Sequence, residues 1–160
     1  MKQEIKTIDN KEVDSLYNDI KLLVEESRNR VYKTVNTEMI NLYWNIGKII
    51  VVMQDGNKKS KYGDYLIKEL SIRLTNKFGK GFSIPNLKRM RQFYNCFPIG
   101  STLLNQLTWS HYLELIKIDD VNKRKFYMKE CINSNWDVRE LQRQRTTLLY
   151  ERIANSKDKN

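Results

Sequence analysis

Phe78-Gly79-Lys80-Gly81-Phe82-Ser83-Ile84-Pro85-Asn86-Leu87-Lys88-Arg89-Met90-Arg91-Gln92-Phe93-Tyr94 is the stretch that decides the fold. Two glycines in three residues end the helix that precedes them, because glycine accepts the positive φ that other side chains resist. Ser83 then starts a new helix as its N-cap, with Pro85 at an early position where its missing N–H costs nothing. Placing Leu87 at 0° and stepping about 100° per residue puts Met90, Tyr94 and Phe97 within about 80° of it, on an inward face. Lys88, Gln92 and Asn95 fall near 80–140° and Arg89 near 200° on the same rule, forming an outward stripe. Two helices joined by a short glycine turn, the second carrying basic and amide side chains, make a helix-turn-helix pattern over about 64–97.

Outward from this stretch, apolar residues recur at spacings of three and four, and only two prolines and six glycines interrupt the chain. The expected fold is mainly α, a multi-helix domain over 13–153, with a flexible N-terminus at 1–12 and a frayed tail at 154–160. Leu16, Ile20, Leu23 and Val24 mark a first helix; Met39, Ile40, Tyr43, Ile46 and Ile50 mark a second. Val31–Thr37 reads as a break between them, because Val, Thr and Asn are weak helix formers. Asp55-Gly56-Asn57 closes the second helix, and Leu66, Ile67, Leu70 and Leu74 define the third. Further on, Trp109 to Ile116 form a helix, Asp119-Asp120 favours a new N-terminus, and Asp137 to Glu140 fits a capping box opening a last helix through Ile153.

The charge is concentrated in one place. The chain carries +10 overall, distributed as −1 in residues 1–55, +8 in 56–100 and +3 in 101–160. The central segment has ten basic residues against only Asp64 and Glu69. Such an excess in a folded domain points to a polyanion, most often nucleic acid. Lys88 and Arg89 can donate to guanine or to phosphate, and Gln92 and Asn95 can pair with adenine edges. Asn86 and Arg91 belong to the same helix. The Ser83 hydroxyl and the free amides behind it can hold a phosphate, and Lys58, Lys59, Lys61, Lys77 and Lys80 are placed to grip the DNA backbone. A charged outward face is also what any solvated helix shows, and 58–61 reads equally well as a plain surface loop.

Other chemistries find little support. Leu, Ile, Val and Phe make 44 of the 160 residues, enough for a core. The longest apolar run is Ile49 to Met53, far short of a membrane span. The charged N-terminus lacks a secretory signal, so the expected location is cytoplasmic, with no membrane partner. Cys96 and Cys131 stand alone, and a single histidine, His111, leaves no metal set, no cofactor site and no triad. His111 reads as a packed or capping residue. Trp44, Trp109 and Trp136 read as core, and Arg139, Arg143, Arg145 and Arg152 with Glu140 and Glu151 read as a self-paired surface helix.

The order of motifs resembles the N-terminal domain of the YhcG-like bacterial proteins. The matching stretches are Leu42-Tyr43-Trp44-Asn45-Ile46-Gly47, Tyr62-Gly63, Phe78 to Ser83 followed by Asn86 to Tyr94, Leu107-Thr108-Trp109-Ser110-His111-Tyr112, Trp136 to Leu141, and Leu148 to Arg152. The resemblance implies a helical, winged-helix-like DNA-binding module that usually precedes a PD-(D/E)xK nuclease domain. Its wing would be a short β-hairpin or an irregular loop. The expectation is therefore a binder of duplex DNA with no catalysis of its own, the nuclease half being absent, and a homodimer is a further possible assembly. The alternative is a protein-interaction domain that docks a nuclease domain or subunit.

Overall fold

Gly47 sits where two helices come closer than any side chain would allow. A Cβ on Gly47 would stand 2.1 Å from the carbonyl oxygen of Met90, so the backbones of the first and third helices are in direct contact. The computed structural model describes residues 10–55, 60–98 and 105–157. Within these ranges the chain forms α1 (Asn10–Asp55), α2 (Ser60–Phe78), α3 (Ile84–Cys96), α4 (Trp109–Leu115), α5 (Val121–Asn133), α6 (Val138–Thr146) and α7 (Leu149–Lys157). No strand occurs among the described residues. The mainly α expectation holds at that level.

The chain divides into two units, residues 1–37 and 38–160. The expected break at Val31–Thr37 is absent, and α1 is a continuous helix of 46 residues. Weak propensity costs only a few tenths of a kcal/mol per residue, and no glycine or proline intervenes. The Thr34 hydroxyl donates to the Arg30 carbonyl, one turn back, a local bond that disturbs a helix only slightly. Helix α1 starts at Asn10, inside the stretch expected to be flexible, and α7 reaches Lys157, past the start of the expected tail. In the first unit, Lys21 pairs with Glu25 and Arg30 with Glu26 at the i,i+4 spacing.

The second unit is built on two apolar clusters. One gathers Ile50 of α1, Ile67 of α2, and Leu87 and Met90 of α3, flanked by Tyr43, Leu70, Leu74 and Phe82. The other holds Ile40, Phe93, Tyr112, Leu115, Tyr127, Cys131 and Leu141. Helix α3 contributes to both, and Trp109 packs against each. The Phe93 ring lies 4.9 Å from Tyr112, 5.2 Å from Trp109 and 5.7 Å from Phe97. Trp44 is half-buried against the second cluster, where its indole N–H donates to the Phe97 carbonyl at 2.7 Å. Burial pushes the Cys131 thiol up to about 12 and raises Cys96 as well. Both are therefore packing groups in the thiol form.

The C-terminal helices depart from expectation in an instructive way. Asp120 caps α5 as expected, accepting from the Lys123 amide at 2.8 Å. Asp137 caps α6, accepting from the Glu140 amide at 2.7 Å. The reciprocal half of that box is not made, because Glu140 is taken by Arg143 and Gln144. The expected single last helix breaks at Thr147 and Leu148, the latter at φ 54°. Tyr127 explains how the break is tolerated: its hydroxyl donates to the Gln144 carbonyl and accepts from the Tyr150 amide, each at 3.3 Å. A buried side chain thus replaces the helical bond that is lost.

The self-paired surface helix is also corrected. Only Arg143 pairs locally, with Glu140. Arg145 reaches back 2.7 Å to Glu114 of α4, and Lys123 of α5 holds Glu151. Glu114, 8% exposed, accepts in addition from Lys117 at 2.7 Å and Gln142 at 3.1 Å. Burial would raise its carboxyl, yet these hydrogen bonds and the Lys117 and Arg145 charges outweigh that and hold it below the usual range.

Three substitutions measure these contacts. Gly47→Ala should cost about 2–3 kcal/mol in urea unfolding, since α1 and α3 must part. Gly79→Ala, at φ 82° with open space around it, should cost only about 1 kcal/mol of backbone strain. Glu114→Gln should lose about 2 kcal/mol at pH 7 by leaving cations around a neutral group. Because the folded carboxyl is depressed, its contribution is present above the unfolded value and is lost as pH falls through the folded one. The gap between wild type and Glu114→Gln should therefore begin to narrow as pH falls toward the unfolded value of about 4.3 and close only below the depressed folded one.

Candidate nucleic-acid interface

Helix α3 is positioned by its first turn and by its buried face. The Ser83 hydroxyl accepts from the Asn86 amide at 3.4 Å with extended backbone at the cap, and Pro85 stands in the first turn. Gly79 and Gly81 take φ of 82° and 120°, which confirms them as the residues that turn the chain between α2 and α3. Leu87, Met90 and Phe93 are buried and Tyr94 is half-buried. Phe97, assigned to the inward face, is the C-cap and packs against the second cluster.

The side chains expected on the outward stripe separate into two groups. Lys88 and Asn95 are exposed. Arg89 is exposed too, and its guanidinium donates to the Asn86 side-chain carbonyl at 2.9 Å. Asn86 in turn donates to the Gly81 carbonyl at 3.1 Å, so it braces the turn and orients Arg89. Gln92 is spent differently: its amide donates to the Ile116 carbonyl at 2.7 Å, tying α3 to the end of α4. Arg91 is half-buried and donates to the Gln54 side chain of α1 at 3.3 Å. Sequence periodicity placed Gln92 by angle alone and Arg91 only by its helix, and nothing in it signalled that a carbonyl or an amide waited there.

Around this face, Lys77 and Lys80 are exposed at the end of α2 and in the turn. Lys61 is exposed on the first turn of α2 rather than in a loop. Lys58 and Lys59 lie outside the described residues. Among the residues from 60 to 97, Lys68 and Arg73 also face solvent, and Arg73 approaches Glu69 at 3.9 Å. Residues 60–97 thus carry seven exposed cations besides Arg91, against Asp64 and Glu69. Hydrogen-bond donors and positive charge dominate this stretch, which suits phosphate oxygens and the acceptor edges of bases.

His111 is the other polar residue singled out by type, and it is structural. Thr108 caps α4, and the His111 ring closes a capping box: Nδ1 lies 2.7 Å from the Thr108 hydroxyl and 3.3 Å from its amide. Nε2 is 2.8 Å from the Trp136 carbonyl. That geometry fits the tautomer with the proton on Nε2, donating to Trp136 while Nδ1 accepts. Among the described residues no group of three or more His, Cys, Asp or Glu is placed to hold a metal, and no helix is long and apolar enough to cross a membrane.

Stability measurements should separate the two groups on α3. Gln92→Ala leaves the Ile116 carbonyl without its donor and should cost about 1 kcal/mol. Lys88→Ala and Asn95→Ala should each stay within about 0.5 kcal/mol of wild type in the same urea titration.

Comparison with known proteins agrees with the order of motifs. The family model described as the DUF1016 N-terminal domain matches residues 19–152. The chain is 33% identical over 170 residues to a protein of Escherichia coli (strain K12) named "Putative nuclease YhcG", an alignment covering 86% of this chain and 45% of that protein. The chain thus spans about half the length of this curated relative. No solved structure matches it. With residues 19–152 matched, the chain belongs to the DUF1016 N-terminal domain family, a nuclease-associated group, and it is similar to YhcG over most of its length.

Proposed function

We propose that this chain is a duplex-DNA-binding module that uses α2 and α3 as a helix-turn-helix, acts in the cytoplasm and does no chemistry itself. The observation that carries this reading is the outward side of α3. Lys88, Arg89 and Asn95 stand exposed on a helix anchored in two apolar clusters, with Lys77 and Lys80 beside its N-terminus. In the proposed mode, α3 lies in the major groove, with Arg89 held by Asn86 and aimed at guanine or phosphate, and Asn95 on an adenine edge. Lys77 and Lys80 contact phosphates, and Lys58, Lys59 and Lys61 extend that backbone contact. The Ser83 cap leaves first-turn amides of α3 available to a phosphate oxygen. Gln92 and Arg91 act indirectly here, by fixing the helix against α4 and α1. The nuclease named in the relative supplies the context: this module brings DNA to a PD-(D/E)xK domain or subunit.

Fluorescence anisotropy with labelled duplexes across a salt series tests the reading. Wild type should bind with a steep negative dependence on salt, and Lys77→Ala with Lys80→Ala should flatten the slope by about 2, equally for all sequences. Lys88→Ala, Arg89→Ala and Asn95→Ala together should weaken the best duplex by roughly a hundredfold or more. No binding at low salt would favour a protein-docking domain instead. Metal-dependent cleavage by the purified chain would overturn the assignment of a binder without catalysis.

A further inference from the structure

Past Cys96, where α3 ends, the surface stays positive. A hollow opens between that end and α5, lined by Cys96, Phe97, Met128 and Ile132 with Lys125 and Lys129 beside them. Stepping about 100° per residue from Val121 puts Met128, Ile132 and both lysines within about 80° of it, on one face of α5. The two lysines are exposed and one turn apart, with about 6 Å between their Cβ atoms. Neither joins an ion pair among the described residues. Their place beside α3 is fixed by two contacts. The Gln92 amide holds the Ile116 carbonyl, so the turn from α4 to α5 runs along one edge of the outward stripe. Arg124 lies over the Phe97 ring at 5.7 Å, which pins α5 at the C-terminal end of α3.

The acids nearby leave these two charges standing. Helix α3 has none. From residue 101 on, Glu114, Glu140 and Glu151 are each held by a cation, and Asp120 and Asp137 cap α5 and α6. Asp158 lies outside the described residues. Glu130 points about 100° away from Lys129 and about 140° away from Lys125 around α5. That leaves Asp119, which is exposed and close to Cys96: burial raises the thiol, Arg124 lowers it and Asp119 raises it again. One acid thus faces two lysines. Arg139, Arg152 and Lys157 are exposed as well, but none of them lines this hollow. Helix α7 packs on α5 through Lys123 and Phe126, whose mean direction is about 110° from that of Lys125 and Lys129.

We infer that Lys125 and Lys129 hold phosphates of the same duplex that α3 enters, past the C-terminal end of α3, while Lys77 and Lys80 hold the other backbone at its N-terminal end. This rests on α3 being the helix in the groove. Its 13 residues make it about 20 Å long, more than the roughly 12 Å width of a major groove, so that, set obliquely, its two ends reach the two walls. Lysine suits the task, being a point charge on a flexible stem that follows a phosphate without demanding one geometry.

Anisotropy of labelled duplexes across a salt series, with the full chain, tests this. Lys125→Ala with Lys129→Ala should flatten the dependence of log affinity on log salt by about 2, equally for all sequences, and by about 4 when joined to Lys77→Ala and Lys80→Ala. Arg152→Ala with Lys157→Ala removes the same charge from α7 and should leave the slope where it was. Equal flattening by the α7 pair reduces the effect to net charge and overturns the inference. So does a slope that the α5 pair leaves unchanged while Lys77→Ala with Lys80→Ala flattens it, or a loss that depends on sequence. A wild-type chain that binds no duplex at low salt overturns the reading of α3 itself, and this inference with it.

Discussion

The contact of Gly47 with the Met90 carbonyl is the constraint on which the second unit turns. With a Cβ forbidden there, α1 and α3 approach until their backbones touch, and that distance lets Ile50, Leu87 and Met90 close one cluster while Ile40 and Phe93 enter the other. A wider spacing would open both clusters at once, because α3 is shared between them. Close packing of this kind is unforgiving of added volume. The price is a glycine in mid-helix, and here the neighbouring contacts offset its lower propensity.

A second set of ties holds the C-terminal helices to this frame, and it is polar. Glu114 gathers Lys117 from the turn after α4, and Gln142 and Arg145 from α6. Arg124, buried, donates to the Ile118 carbonyl and lies over the Phe97 ring at 5.7 Å. Tyr127 bridges the break between α6 and α7. These groups give the short helices fixed positions that apolar packing, being non-directional, would leave loose. Gln92 extends the same kind of tie to α3, so the surface proposed to meet DNA is held from both sides.

Much of this was legible from residue types. Gly79, Gly81 and Ser83 announce the turn and the start of α3 because positive φ and an N-cap each demand particular side chains. Asp120 and Asp137 announce their helices for the same reason, and tryptophans at apolar positions announced the core. What escaped was whatever depended on a distant partner. The continuity of α1 overrode weak propensity at Val31–Thr37, since propensity is small beside cooperative helix formation. The break at Leu148 rests on Tyr127, about twenty residues earlier in the chain. Arg145 and Glu151 found partners on α4 and α5, which periodicity along one helix has no means of showing. Gln92 has the angle of a surface residue and Arg91 lies near the inward face, and only the placement of Ile116 and Gln54 reveals what they hold.

The sharing of α3 between two clusters separates what the helix is from what it displays. Leu87, Met90 and Phe93 are answerable to the interior, whereas Lys88 and Asn95 answer to nothing in the fold. Exchanges at those outward positions can change what the helix displays while leaving the scaffold intact. Drift among relatives can therefore alter that display in single steps, without passing through an unfolded intermediate sequence.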